Sequence, residues 1–182
     1  MSELASYRLS TTDWAVLAAL FEQPSHGFRL SLLFAPSGEL GDIWRIQRTQ
    51  VYRAIEHLEA RGLIEAVRQE EGDAGPPRTL YGATSSGQAA VLCWLYTPVT
   101  QLRYGRSDLR LKIAFLIRLQ RDLEPLLKAQ AGVFRAILED LQQQIRAAEG
   151  IQLVSALWRM EMARASLGFI ERLLAQNVAL SK

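Results

Sequence analysis

Arg45-Ile46-Gln47-Arg48-Thr49-Gln50-Val51-Tyr52-Arg53-Ala54-Ile55-Glu56-His57-Leu58-Glu59-Ala60-Arg61-Gly62 is the stretch whose reading decides the fold. Val51, Ile55 and Leu58 recur at i, i+4 and i+7, the spacing of one helical face. Gly62 follows the last periodic residue, where a helix end favours a residue that accepts positive φ. Away from that apolar stripe stand Thr49 and Arg53, flanked by Gln50 and Tyr52, with Arg45 and Arg48 at the N-terminal end. A helix buried on one side, with hydrogen-bonding and cationic groups on the other, meets the requirements for reading a DNA major groove. An ordinary amphipathic surface helix has the same pattern, so the neighbouring segments must decide.

Upstream, Thr11-Thr12-Asp13 offers N-cap candidates for a helix carrying Trp14, Leu17, Ala18 and Phe21 and closed by Pro24. A second helix is expected from Ser25 or His26, with Phe28, Leu32 and Leu33 facing inward, ending near Pro36-Ser37-Gly38. Downstream, Leu63 to Arg68 reads as a strand, Gly72-Asp73-Ala74-Gly75-Pro76-Pro77 as a turn, and Arg78 to Ala83 as a returning strand. Three helices followed by a hairpin is the order of a winged helix-turn-helix. The expected architecture is mainly α: a winged helix-turn-helix over residues 1–97 with a small β-hairpin wing, then an all-α helical-hairpin dimerisation domain over residues 98–182.

In the second half, Gln88 to Tyr96 is expected to be helical and closed by Pro98, and a loop leads through Gly105 to a deeply buried helix of Leu109, Ile113, Leu116 and Leu119. Pro125 opens a long helix whose Leu127, Ala131, Phe134, Leu138, Leu141, Ile145 and Ala148 form a seam at alternating spacings of four and three. A last helix, near Ile151 to Ala175, is expected to turn Ile151, Val154, Trp158, Met162, Ala165, Phe169 and Leu173 toward it. A second stripe, Leu126, Val133 and Ile137, is then left exposed on the first long helix and becomes the candidate dimer interface.

Composition narrows the function classes. The 182 residues are 49% hydrophobic, enough for a buried core, and contain no apolar run that spans a bilayer. Met1 to Ser10 lacks the features of a signal peptide, and one cysteine builds no internal disulfide, so a cytoplasmic protein is expected. Cys93 lies among apolar neighbours and reads as a buried small hydrophobe. An enzyme lacks parts here: there are two histidines, no Gly-rich phosphate loop, and no CxxC or HExxH spacing; no metal or cofactor is implied. Residues 1–95 hold eight Arg against eleven Asp and Glu, a net −3, whereas residues 96–182 are +5. The acidic first half objects to nucleic-acid binding, although Arg45, Arg48, Arg53 and Arg78 all fall in the proposed contact elements. A winged-helix module that binds protein without reading DNA is the alternative.

Three fragments in order carry a resemblance. Pro24-Ser25-His26-Gly27-Phe28-Arg29-Leu30 is similar to the opening of the second helix in PadR-family transcription regulators. Gln50-Val51-Tyr52-Arg53-Ala54-Ile55 followed by Leu58-Glu59-Ala60-Arg61-Gly62-Leu63-Ile64 resembles that family's third helix. Gly75-Pro76-Pro77-Arg78-Thr79-Leu80-Tyr81-Gly82-Ala83-Thr84-Ser85-Ser86-Gly87 resembles its wing. Trp94, Arg106, Leu109, Lys112 and Phe115 resemble the helical C-terminal domain of its longer members. The resemblance implies a homodimeric bacterial regulator, a repressor by family habit, that binds double-stranded DNA at a pseudo-palindromic operator and is released by a small aromatic or phenolic ligand. Pro76 and Thr79 stand where basic wing residues are common, which removes two phosphate contacts.

The residues singled out follow. Arg45, Arg48, Thr49, Gln50, Tyr52, Arg53, Pro77 and Arg78 are the candidate DNA contacts. His26 is expected to be structural, His57 solvent-facing or packed under the hairpin, and Tyr81 part of the core. Trp14, Trp44, Trp94 and Trp158 sit on or beside apolar stripes, so packing competes with ligand stacking for each. Trp94, Arg103, Tyr104, Arg106 and Trp158 are the candidates for an effector site, the arginines suiting a carboxylate; an ordinary solvated loop explains residues 103–106 equally well.

Overall fold

The computed structural model describes residues 9–72 and 75–180, without the side chains of residues 71, 72, 75, 76 and 177–180. The reading of Met1 to Ser10 therefore falls, up to residue 8, outside the described residues, as do Asp73 and Ala74 of the wing turn. The chain divides into two compact units, Met1–Leu95 and Tyr96–Lys182.

In the first unit, α1 (Thr11–Glu22) is capped by Ser10, one residue before the expected caps. The Ser10 hydroxyl accepts from the Asp13 backbone N–H at 3.1 Å, and the Asp13 carboxylate accepts from the Ser10 N–H at 2.9 Å. That reciprocal arrangement satisfies two donors which the helix itself leaves unpaired. Everything from Trp14 to Leu20 is buried, so α1 is the central helix of this unit rather than a one-sided one. Next, α2 (Gly27–Leu33) is capped by the His26 imidazole, whose Nδ1 accepts from the Arg29 N–H at 3.2 Å, giving His26 the structural role expected of it. Its inward residues are Gly27, Leu30 and Ser31, with Phe34 just beyond. Phe28 and Leu32, expected inside, are 39% and 53% exposed: on seven residues the apolar set fills more than one face, and only one can be buried.

The stretch from Arg45 to Gly62 forms α3 (Arg48–Glu59) and buries Val51, Ala54, Ile55 and Leu58. Gly62 adopts φ +66°; its N–H donates to Glu59 O at 2.9 Å and the Leu63 N–H to Leu58 O at 3.0 Å, closing the helix. The wing is β1 (Ile64–Gly72) paired antiparallel with β2 (Gly75–Ala83), from Ile64 opposite Ala83 to Gly72 opposite Gly75. Register shifts occur between Ala66 and Arg68 and between Glu70 and Gly72, points where a hairpin gains twist. Ser25 and Tyr81 exchange both backbone hydrogen bonds, at 2.9 and 3.0 Å, so the turn before α2 adds a third, minimal strand to the base of the wing. Thr84 joins the wing to α4 (Ser85–Tyr96): its hydroxyl donates to Gly62 O at 2.8 Å and accepts from the Gly87 N–H at 3.1 Å. On α4 the Trp94 ring stacks on Trp14, centroids 5.4 Å apart and planes within 4°. Cys93, between the buried Val91 and Trp94, points outward and is exposed, which corrects its expected burial.

The second unit holds one turn of 3-10 helix, Leu102–Gly105, within the expected loop, then α5 (Asp108–Arg118), α6 (Glu124–Ala147) and α7 (Gly150–Leu180). As expected, α5 is deeply buried, from Leu109 through Leu116 save Arg110. The fully buried Gln130 of α6 holds the backbone of Val99, accepting from its N–H at 2.8 Å and donating to its carbonyl at 2.9 Å. The expected seam of α6 lies inward: Leu127, Ala131, Phe134 and Leu141 are buried.

Two expectations for this hairpin are overturned. On α7 the buried residues are Ala156, Met160, Ala163 and Ile170, with Leu153, Leu167 and Leu174 partly covered. The residues expected inside are the outer ones: Ile151 is 89% exposed, Val154 68% and Trp158 69%. This helix carries two apolar stripes at heptad spacing on opposite sides, and the one containing Ala156 and Ala163 faces α6. Small side chains let two helices approach closely, which covers the larger residues around them. On α6, Leu126 is fully buried within its own unit and Val133 and Ile137 are partly buried, so no exposed stripe runs there. The exposed apolar face belongs to α7.

Candidate nucleic-acid interface

Burying Val51, Ile55 and Leu58 fixes the rotation of α3, and that rotation sets what the helix presents. Arg48, Thr49, Gln50, Tyr52 and Arg53 are all exposed, as is Arg45 in the segment before the helix. Each α3 residue expected to point away from the apolar stripe is therefore exposed. Gln50 also caps the helix: its side-chain oxygen accepts from the Gln47 N–H at 3.1 Å, which leaves its amide N–H groups for other partners. Tyr52 packs its ring edge over the start of α2, and a Cβ added at Gly27 would come within 2.7 Å of it. Only glycine allows this approach, and it holds the phenol in place.

A groove of about 530 Å³ runs beside this face, lined by His26, Phe28, Arg48, Tyr52, Arg78 and Tyr81 among others. Pro77 and Arg78 of the wing are exposed there, so the wing and α3 contribute cations to the same surface. The Arg48 guanidinium lies 5.7 Å from the Tyr52 ring centroid. Tyr81, expected in the core, is half-buried at the groove; burial and the carboxylates of Glu59 and Glu56 raise its phenol above the ordinary tyrosine range, keeping it a proton donor. His57 is partly solvent-exposed, and its Nδ1 meets the Asp13 carboxylate at 3.1 Å, which ties α3 to α1. Sequence reasoning missed Phe28 and Tyr81 as groove residues. The signal was present in aromatic side chains near arginines in the motif fragments, but the contacts join segments distant in sequence.

Residues 16–92 match the profile of the transcriptional regulator PadR-like family. This match lies within the first unit. The chain is also 29% identical over 94 residues to "Probable transcriptional regulator Rv1176c" of Mycobacterium tuberculosis; the match covers 52% of this chain and 48% of that protein. The chain thus spans about half the length of that curated relative. Among solved structures, Bacillus subtilis PadR in complex with operator DNA is 22% identical, with 91% of this chain and 98% of that chain covered and a TM-score of 0.46. The Streptococcus mutans protein smu.1604c is 15% identical, covering 90% of this chain and 98% of its own, with a TM-score of 0.42.

Of the expected effector residues, Arg103, Arg106 and Trp158 come together in the second unit. They line a cavity of about 610 Å³ with Leu102, Ile137, Asp140, Arg159 and Met162. Trp94 is elsewhere, buried against Trp14 in the first unit, and Tyr104 carries the Arg103 guanidinium 4.9 Å from its ring without lining the cavity. Among the described residues no helix is long and apolar enough to cross a membrane.

Proposed function

We propose that this PadR-like protein is a cytoplasmic, sequence-specific DNA-binding repressor that acts as a homodimer on a pseudo-palindromic operator. The observation that carries this reading is the outward face of α3, where Arg48, Thr49, Tyr52 and Arg53 stand exposed beside Arg78 of the wing. Arginine can pair bidentately with guanine and an amide with adenine, while phenol and wing guanidinium suit phosphate. One winged helix buries too little DNA to select a site in a genome, so two copies held at a fixed separation are needed. The exposed apolar face of α7, with Ile151, Val154 and Trp158, is the surface suited to hold them, because covering it in a twofold contact removes it from water.

The cavity beside Trp158 suits a small planar acid: Leu102, Ile137 and Met162 offer apolar walls, and Arg103, Arg106 and Arg159 offer partners for a carboxylate. A ligand there would touch the proposed dimer face through Trp158, which gives release a route. Selection of bound duplexes from a random pool, followed by mobility shifts across salt concentrations, tests the reading. Affinity should fall steeply with salt, and Tyr52→Ala should cost about 1–3 kcal/mol on the selected site. The net −3 of residues 1–95 favours a second reading, a module that binds protein instead. Absence of any shift at low salt would decide for it.

A further inference from the structure

Phe28 stands at the meeting point of three elements. Its ring centroid lies 5.4 Å from the guanidinium carbon of Arg48 on α3 and 5.7 Å from that of Arg78 on β2. The His26 imidazole stacks on the same ring at 6.4 Å with planes within 12°. At 39% exposure Phe28 is not a core residue; Leu30 and Phe34 fill that role beside it. Among the described residues neither guanidinium has a carboxylate partner, although Glu56 lines the same groove. Two like charges drawn to one ring repel each other, and the ring's negative face holds them against that repulsion. An anion placed between them would convert the repulsion into two charge-assisted hydrogen-bonding contacts.

We propose that Phe28 is a positioning residue that holds Arg48 and Arg78 as a pair aimed at one backbone phosphate, so that wing and reading helix grip DNA jointly. The inference rests on the DNA-reading proposal above. Joint action has a signature that separate contacts lack: once one member is lost, losing another costs little.

The test uses the full-length chain, the duplex selected from a random pool and a duplex of unrelated sequence. Phe28→Leu keeps apolar bulk and removes the π face, so thermal melting should hardly change. It should weaken binding to both duplexes roughly tenfold and flatten the salt slope by ~1. Phe28→Tyr, which keeps the ring, should restore affinity to within about twofold. Arg78→Ala should cost roughly tenfold alone but less than about twofold in the Phe28→Leu background. The cycle of Arg48→Ala with Arg78→Ala gives a reading that does not touch Phe28, and it should show the same shortfall from additivity. Wild-type affinity in Phe28→Leu, additive losses in either cycle, or failure of Phe28→Tyr to restore binding would overturn the pairing while leaving DNA reading intact. If Arg48→Ala and Arg78→Ala both bind as wild type, the assignment of this face to DNA fails, and the inference with it.

Discussion

Helices α3 and α7 solve opposite problems with the same periodicity. In α3 one stripe of Val51, Ala54, Ile55 and Leu58 is buried, and the remaining surface is polar, with Arg48 and Arg53 in its N-terminal half and Glu56 and Glu59 toward its end. In α7 one stripe of Ala156, Met160, Ala163 and Ile170 is buried, and the opposite side presents Ile151, Val154 and Trp158. A helix that has satisfied its apolar residues can offer hydrogen bonds and charge, which suits a polyanion. A helix with a second apolar stripe left over can lower its free energy only by meeting another apolar surface. The inner sides make each unit; the outer sides set what each unit is fit to meet.

The largest effect expected is on the outer side of α7. Val154→Glu combined with Phe169→Glu should leave the helical content unchanged, because both residues are exposed, yet convert a sedimenting dimer into a monomer. Operator affinity should then fall on the order of 100-fold or more, the loss of linkage between two half-sites. An unchanged mass would break the comparison, because the outer side would then need another explanation. The inner side should behave differently. Met160→Ala, in the cluster with Leu141 and Ala163, should destabilise the chain by about 2 kcal/mol in urea unfolding, with the mass of the folded protein unchanged. The smallest effect belongs to α3. Gln50→Ala removes the side-chain cap on Gln47 and should cost about 0.5–1 kcal/mol of stability in addition to any loss of DNA contact. A stability identical to wild type would show that the cap is dispensable and that Gln50 serves the outer side alone.

These helices also show why one part of the molecule was legible in the sequence and another was not. A single apolar stripe has one possible rotation, so the outward position of Arg48, Thr49, Gln50, Tyr52 and Arg53 on α3 followed from Val51, Ile55 and Leu58. Two stripes permit two rotations, and periodicity alone selects the one with larger residues. In α7 packing selected the other, because Ala156 and Ala163 allow close approach. The same ambiguity misplaced Phe28 and Leu32 on the short α2, and it transferred the exposed face to Leu126, which is fully buried. Cys93 illustrates a related error: apolar neighbours in sequence describe both sides of a helix at once, and Ala90, Val91 and Trp94 are buried while Cys93 is exposed. The groove was half legible. Its cations came from the α3 stretch and the wing fragment, but Phe28 is joined to Arg48 and Arg78 only by folding.

The two hydrogen bonds between Ser25 and Tyr81 carry a consequence for how far the wing can vary. They clamp β2 three residues beyond Arg78, so the arginine is held from the root of the hairpin rather than from its tip. Residues inserted between Gly72 and Gly75 would lengthen the ribbon at its far end and leave the root in register. The amide hydrogens of Ser25 and Tyr81 should accordingly exchange with solvent slowly and at similar rates, and should keep doing so in chains whose hairpins differ in length.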